Sequence, residues 1–415
     1  MTDSDVYLDS SETRSPDERE SDLIGKFRQH LSLAKEQSAY FAQTLKDIDP
    51  TTITTREDLG TIPVTRKSDL KTIQANTPPF GGLTTEPVGD LARVFASPGP
   101  IYEPQSSSGD FWRLKRAMYA AGVRRGSLVY NTFSYHFTPA GFMMDSGARA
   151  LGCAVFPAGI GQTELQVQTI NDLQPDVYVG TPSFLRILLE KAEEMGMKIN
   201  SFKKALVGGE ALLPSARALF KERGIDVLQS YATADLGLIA YETVADEGLI
   251  IDEETIVEIV RPGTNEAVAD GEVGEVVVSL FSNTYPLIRF GTGDLSMFID
   301  GQSSCGRTNR RLKGWMGRAD QTAKVKGMFV HPEQIDKVVK RHSEITFSRL
   351  VIEHDDGQND VMTLHCETQQ GSDQLKDSVI HSLREVTKLR GAVCFVEPKS
   401  LARDGKVIDD QRKYD

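Results

Sequence analysis

Along the early part of the chain apolar residues recur every three or four positions: Ile24, Phe27, Leu31, Ala34, Phe41 and Leu45 fall on one face. That spacing predicts an amphipathic helix from about Asp22 to Lys46, packed through its apolar stripe. Residues 1–20 before it form a polar, acidic tail. The segment Ile62-Pro63-Val64-Thr65-Arg66-Lys67-Ser68-Asp69-Leu70-Lys71 reads as a proline turn followed by a helix capped by Thr65 or Ser68.

From Arg116 to about Gln229 the pattern changes to short apolar runs separated by helical stretches. The runs are Leu128–Asn131, Cys153–Phe156, Val177–Gly180, Lys204–Gly209 and Asp226–Tyr231, with helices expected near Phe142–Leu151, Glu164–Leu173, Pro182–Met195 and Pro214–Arg223. Such alternation predicts βαβ units on a parallel sheet. Ligands bind beyond the carboxyl ends of strands in such sheets, where Gly180-Thr181-Pro182 and Gly208-Gly209-Glu210 fall. Between Leu249 and Phe290 helical periodicity gives way to strands and turns, a β-rich subdomain. After Gly317 the chain turns basic (Arg318, Lys324, Lys326) and then alternates helix and strand to its end. The expected fold is α/β: a large N-terminal body with parallel and mixed sheets plus a small, mobile α+β cap, divided as 1–318 and 319–415.

Composition narrows the class. A chain of 415 residues exceeds one ordinary core, since domains run to about 100–200 residues. A hydrophobic fraction of 39% is that of a globular protein. The net charge of -12 disfavours broad nucleic-acid binding, which needs clustered Lys and Arg. Cys153, Cys305, Cys366 and Cys394 lie far apart without CxxC spacing, which fits reduced thiols in a cytoplasmic protein. The acidic start differs from a signal peptide, and no apolar stretch is long enough to span a bilayer, so no membrane partner is expected.

Three fragments carry candidate chemistry. Tyr285-Pro286-Leu287-Ile288-Arg289-Phe290-Gly291-Thr292-Gly293-Asp294 is a strand end, a glycine turn and an acid. A carboxylate there can accept two hydrogen bonds from a ribose diol, although an Asx-type turn explains the fragment equally well when it is read alone. Next come Gly317-Arg318-Ala319-Asp320 and Lys324-Val325-Lys326-Gly327-Met328-Phe329-Val330-His331-Pro332-Glu333. The third is Arg403-Asp404-Gly405-Lys406-Val407.

In this order, with Val207-Gly208-Gly209-Glu210 and Ser230-Tyr231-Ala232-Thr233-Ala234-Asp235-Leu236-Gly237 upstream, the fragments resemble the adenylate-forming superfamily and within it the phenylacetate–CoA ligase branch, from about Leu59 to Arg412. The resemblance implies ATP-dependent activation of a small aromatic or aryl-acetic acid and transfer to CoA, with ATP, Mg2+ and CoA as cofactors and a homodimer allowed. It places Gly208, Gly209 and Glu210 against the adenine, Tyr231 as the aromatic beside it, Asp235 on magnesium, Asp294 on the ribose and Arg318 on the hinge side of the nucleotide. Asp320 becomes the pivot, Gly327 a wall of the CoA tunnel, and Lys406 the lysine that reaches the carboxylate and α-phosphate. Tyr135, His136, Gly180 and Thr181 would line the acid pocket.

The roles suit the residue types. A carboxylate attacking an α-phosphate brings two anions together, so a cation belongs where the charge accumulates. Thiol attack then needs that cation withdrawn, which a pivoting cap permits.

The pattern breaks at the phosphate loop. Where relatives carry a Gly-, Ser- and Thr-rich loop with a lysine, this chain has Ser97-Pro98-Gly99-Pro100-Ile101-Tyr102-Glu103-Pro104. Its prolines lack N–H donors, and Glu103 stands at the lysine's place. Either Ser106-Ser107-Ser108-Gly109 supplies the donors, or the loop is a stiff turn that binds no phosphate. Asp235 is also one methylene shorter than the family's glutamate, which weakens a strict magnesium geometry. Cys305 alone remains of a zinc site that some relatives hold, so zinc is not expected. Two further readings stay open: a ligase-derived protein that binds nucleotide or acyl-CoA without turnover, and adenylation with transfer to an acceptor other than CoA.

Overall fold

The computed structural model describes residues 6–316, 318–319, 323–326, 328–330, 332–355, 359–402 and 406–412. The chain divides into two compact units, Met1–Trp315 and Met316–Asp415.

In the body, α1 (Pro16–Gln37) starts at a reciprocal cap: Ser15 Oγ accepts from the Glu18 N–H at 3.2 Å, and the Glu18 carboxylate accepts from the Ser15 N–H at 3.0 Å. With Pro16 in the first turn, this fixes a start six residues before the one expected from periodicity. The stripe Ile24, Phe27, Leu31 and Ala34 is buried as read. The expected single helix to Lys46 is instead broken at Ser38, whose hydroxyl caps α2 (Ala39–Thr44) and donates to the Gly82 carbonyl at 2.8 Å. The next segment departs further. Thr65 lies in β1 (Thr65–Arg66) and Ser68 in a 3₁₀ turn, and α3 (Leu70–Asn76) follows from Asp69 with no side-chain cap. The competing force is a distant strand, described below, that captures Thr65 and Arg66.

A hairpin of β2 (Arg93–Ser97) and β3 (Ile101–Gln105) and a short helix, α4 (Leu114–Ala120), precede the βαβ series. The series runs β4 (Leu128–Asn131), α5 (Ala140–Ala150), β5 (Ala154–Pro157), α6 (Thr163–Leu173), β6 (Val177–Gly180), α7 (Pro182–Glu194), β7 (Lys204–Val207), α8 (Pro214–Glu222) and β8 (Asp226–Thr233). Then follow β9 (Gly237–Glu242), β10 (Leu249–Ile251), β11 (Thr255–Val260), β12 (Gly274–Leu280), β13 (Leu287–Ser296), β14 (Phe298–Ile299) and β15 (Arg311–Leu312).

One large sheet has the order β14-β15-β10-β9-β8-β7-β6-β4-β5. Its β5-β4-β6-β7-β8 half is parallel, as the alternation predicts, and the remainder is antiparallel. Both faces are covered: Val129 and Val179 pack with Trp112 and Met143, whereas their neighbours Tyr130 and Tyr178 pack with Leu185 and Leu188. This two-residue alternation sets α5 and α7 on opposite faces. A second sheet, β1-β13-β12-β11, packs its apolar face on α1 through Phe27, Leu31, Val276, Val278 and Phe290. Thr65 and Arg66 extend that sheet by pairing parallel with Phe290 and Gly291. The predicted β-rich stretch is therefore shared between two sheets, Leu249–Ile251 in the first and the rest in the second.

The smaller unit comprises the hairpin β16 (Ala323–Val325) and β17 (Met328–Val330), α9 (Pro332–Val339), β18 (Phe347–His354), β19 (Asp360–Glu367), α10 (Asp373–Thr387), β20 (Ala392–Val396) and β21 (Ile408–Asp410). Its sheet has the order β20-β19-β18-β21. Ile335, Leu350, Leu364, Val379, Leu383 and Ile408 form its own core. The α+β character matches the sequence expectation.

Candidate functional site

The loops at the carboxyl ends of β4, β6, β7 and β8 converge with the second sheet on one region of the body. Its best-formed part surrounds Asp294. On β13, Gly293 takes φ +76°, and a Cβ at Gly291 would lie 2.7 Å from the Glu275 carboxylate, so the two glycines meet real backbone demands. The Asp294 N–H donates to Thr292 Oγ1 at 3.1 Å, and that hydroxyl donates to the Val276 carbonyl at 3.0 Å. The carboxylate is held on both oxygens: Tyr231 OH donates to Oδ2 at 2.9 Å and the Trp315 indole N–H to Oδ1 at 3.1 Å. Tyr231 and Asp294, expected to share a nucleotide site, are thus brought together, and the tyrosine acts on the acid through its hydroxyl. Trp315 is not singled out by the sequence; nothing local shows that its indole reaches a residue on β13.

The adenine-side loop follows β7. Gly209 has φ +77°, and a Cβ there would stand 3.6 Å from Phe133 and 3.9 Å from Thr181, so the ends of β4, β6 and β7 meet at this point. The Glu210 carboxylate accepts from the backbone N–H of Ser183 at 3.1 Å and from its hydroxyl. Thr181 Oγ1 caps the same helix, accepting from the Phe184 N–H at 3.2 Å. Both side chains are spent on the start of α7, where the helix dipole favours the carboxylate.

Gly180 has no room for a side chain, since a Cβ would fall 2.0 Å from Thr132 Oγ1 and 2.2 Å from Tyr178 OH. Tyr135 accepts from Asn131 Nδ2 at 2.8 Å and sets its ring edge-on to Phe142, with centroids 5.1 Å apart. Burial raises its phenol far above the ordinary range. The His136 side chain is exposed on the same loop.

The phosphate end is built differently. Pro98 and Pro100 form the tip of the β2–β3 hairpin, and buried Glu103 turns back to accept from the Ser97 N–H at 3.1 Å and from the Ser97 hydroxyl. Ser106 and Ser108 hydrogen-bond one another, with the Ser108 N–H donating to Ser106 Oγ at 3.2 Å. In this stretch the Ser97 and Ser108 N–H groups and the Ser97 and Ser106 hydroxyls are thus engaged within the loop itself.

Asp235 is also buried, and the Lys67 ammonium donates to its Oδ2 while Oδ1 is buried without a hydrogen-bond partner. Lys67, on the 3₁₀ turn after β1, is another residue that sequence reasoning misses, because 168 positions separate it from its partner. Burial, and then the neighbouring Asp235 charge, push the Glu103 carboxyl up to about 8, with Lys67 and Ser97 opposing. Burial and these same two acids raise the Tyr285 phenol, whose hydroxyl has no hydrogen-bond partner either.

Oδ2 of Asp235 already faces an ammonium, and among the described residues no group of three or more His, Cys, Asp or Glu could hold a metal. The orphaned Oδ1 leaves one donor that fits an ion bound mainly by phosphate oxygens, as magnesium commonly is.

Arg318 is half-buried at the start of the smaller unit. In that unit Lys406 is exposed just before β21 and pairs with Asp409 at 3.3 Å, while the next residue is anchored through Leu350 N–H to the Val407 carbonyl at 2.9 Å. The expected pivot Asp320 and tunnel residue Gly327 lie outside the described residues. All four cysteines are free, and among the described residues no helix is long and apolar enough to cross a membrane.

A body with this doubly wound sheet and carboxylate site, followed by a small α+β unit, is the build of an adenylate-forming enzyme, and the family models agree: residues 117–283 match the AMP-binding enzyme model and residues 327–412 the AMP-binding enzyme C-terminal domain. The chain belongs to this family, and it is similar to the phenylacetate–CoA ligases within it. It is 29% identical to the phenylacetate-coenzyme A ligase of Aromatoleum evansii over 377 residues, covering 87% of this chain and 84% of that protein. The phenylacetate-coenzyme A ligase of Thermus thermophilus is likewise 29% identical over 389 residues, covering 87% and 86%. Among solved structures, a 2-hydroxyisobutyryl-CoA ligase in complex with 2-HIB-AMP and CoA superposes with a TM-score of 0.82 at 24% identity, over 100% of this chain and 94% of that one. That likeness concerns the fold.

Proposed function

We propose that this protein is an AMP-forming acid–CoA ligase: it joins a small, aromatic or aryl-acetic carboxylic acid to AMP with release of pyrophosphate, then transfers the acyl group to CoA. The single observation that carries the reading is Asp294, a buried carboxylate presented within strand β13, where the expected glycine turn is instead an irregular stretch of strand, and oriented by Tyr231, in a chain whose two parts both match AMP-binding enzyme models. Asp294 accepts the ribose hydroxyls. The loop Gly208-Gly209-Glu210 bounds the adenine, and Arg318 lies on the hinge side. The loop after β4, with Tyr135 and His136, and the backbone of Gly180 and Thr181 bound the acid. An aryl substrate suits the edge-on Tyr135–Phe142 pair.

Lys406 supplies the positive charge opposite the carboxylate and α-phosphate during adenylation, Asp320 carries the backbone rotation between half-reactions, and Gly327 borders the CoA path. The division into a body and a cap near residue 318 follows from the same reading, as does a cytoplasmic setting. Magnesium bound with ATP would neutralise phosphate charge, and Asp235 Oδ1 would be the protein oxygen that holds it.

A second reading is favoured by one observation. Buried Glu103 sits where a phosphate loop would need a cation, which suits a protein that binds nucleotide or acyl-CoA without efficient adenylation. One experiment separates them: ATP–pyrophosphate exchange across a panel of aryl and aliphatic acids, with CoA, pantetheinyl carrier protein and amines offered in parallel as acceptors. Acid-dependent exchange and thioester formation with CoA support the ligase. Product with carrier protein or amine alone reassigns the acceptor. Calorimetric binding of AMP with no exchange for any acid sinks the ligase reading in favour of the binding protein.

A further inference from the structure

The ribose acceptor is already engaged. Asp294 is 8% exposed, with Tyr231 on Oδ2 and Trp315 on Oδ1. A cis-diol recognised by one carboxylate draws on both oxygens, and the two hydroxyls reach them as donors. An indole N–H is a donor and nothing else, so Trp315 offers Oδ1 what a ribose hydroxyl would offer. The position of Trp315 makes this more than a packing detail. It is half-buried, and it is the last residue of the body, where the chain passes into the smaller unit.

We propose that Trp315 is a displaceable stand-in for one ribose hydroxyl. In the nucleotide-free protein its indole holds Asp294 Oδ1. A ribonucleotide exchanges that contact for its own hydroxyl and frees the side chain, so occupancy of the ribose site is relayed to the segment that joins the two units. The inference rests on the ligase reading only in taking Asp294 as the ribose acceptor. Trp315 thereby becomes a determinant of nucleotide affinity and of selectivity for a diol, acting through Asp294.

The chain contains two tryptophans, and Trp112 is 1% exposed, so acrylamide quenching of the emission reports mainly on Trp315. Full-length protein is titrated with AMP by calorimetry and, in parallel, by emission and acrylamide quenching, with 2′,3′-dideoxy-AMP as the diol-free probe. AMP is expected to shift the emission and raise the quenching constant over the concentration range of the binding heat. The dideoxy nucleotide is expected to leave both unchanged. Trp315→Phe, which keeps a ring and removes the N–H, should bind AMP about tenfold more tightly, the size of one charge-assisted hydrogen bond no longer displaced, and should abolish the optical response.

An unchanged emission at calorimetric saturation overturns the displacement while leaving nucleotide binding intact. Weaker AMP binding by Trp315→Phe overturns it as well, since the indole would then support the nucleotide. Absence of AMP heat in both proteins removes the ribose assignment and this inference together.

Discussion

Asp294 and the Glu103–Asp235 pair, proposed above as the ribose and phosphate ends of one site, differ in the side chains that meet them. Around Asp294 a single acid is met by neutral donors, Tyr231 OH and Trp315 N–H, and its backbone is fixed by Thr292. Around Glu103 and Asp235 two buried acids face one ammonium, from Lys67, whose side chain is 22% exposed. On the proposed reading a sugar at Asp294 competes with these hydroxyl and indole donors. At the other end, positive charge is already taken up by the protein's own carboxylates, and an incoming phosphate competes with Asp235 for Lys67. On the proposed reading, nucleoside recognition and phosphate activation would rest on separate devices, each alterable without the other.

The largest expected effect lies outside both regions. Lys406→Ala should lower acid-dependent ATP–pyrophosphate exchange by about two to three decades, or about 3–4 kcal/mol of barrier, while AMP binding at Asp294 is retained. Equal losses of exchange and AMP affinity would tie the lysine to nucleotide binding instead.

Lys67→Met strikes the phosphate end alone. It strands two buried acids and should destabilise the body by about 2 kcal/mol, the usual cost of breaking a buried pair being reduced because the lysine is partly exposed. Chemical denaturation checks this, and an unchanged midpoint would mean that Asp235 and Glu103 do not depend on that ammonium.

Asp294→Asn should weaken AMP by about tenfold through loss of the charge, and should lower the denaturation midpoint modestly, because the amide NH2 then faces one of the two donors, Tyr231 OH or Trp315 N–H. A larger change at the phosphate end than at the ribose end would contradict the separation of the two.

The last effect is a dependence on pH. Glu103 has its carboxyl raised from an ordinary 4.5 to about 8 by burial. The folded protein therefore holds this proton more tightly than the unfolded chain. Its contribution to stability is fully present below about 4.5 and is lost as pH rises through about 8. Glu103→Gln should remove that decline, so that melting temperatures of the two proteins diverge between about pH 4.5 and 8; parallel curves would show that the carboxyl is ionised throughout.

Much of the fold is legible in the sequence because its signals are local. The runs Leu128–Asn131, Val177–Gly180 and Lys204–Val207 are strands of the parallel half of the large sheet, with helices between them, as alternating period-2 and period-3.6 burial requires. The start of α1 differs from the periodicity expectation although its signal is also local, in the Ser15-Pro16-Asp17-Glu18 cap. Thr65 departs for a different reason: its pairing with Phe290 is a contact across most of the body, and it overrides a plausible helix cap. In the site, Tyr231 and Asp294 can be found because each sits in a fragment with its own pattern. Lys67 and Trp315 escape because neither carries one.

The order of residues by itself settled which segments of the large sheet alternate as strand and helix, and that an acid occupies position 103 and a lysine position 406. Periodicity, backbone freedom and side-chain chemistry act over a few residues and need no partner. Only the tertiary structure decided which charges meet: that Lys67 faces Asp235, that Glu103 folds inward onto Ser97, and that Trp315 closes on Asp294. Those pairings depend on desolvation and on distances set by packing between elements far apart along the chain, and no local rule encodes them.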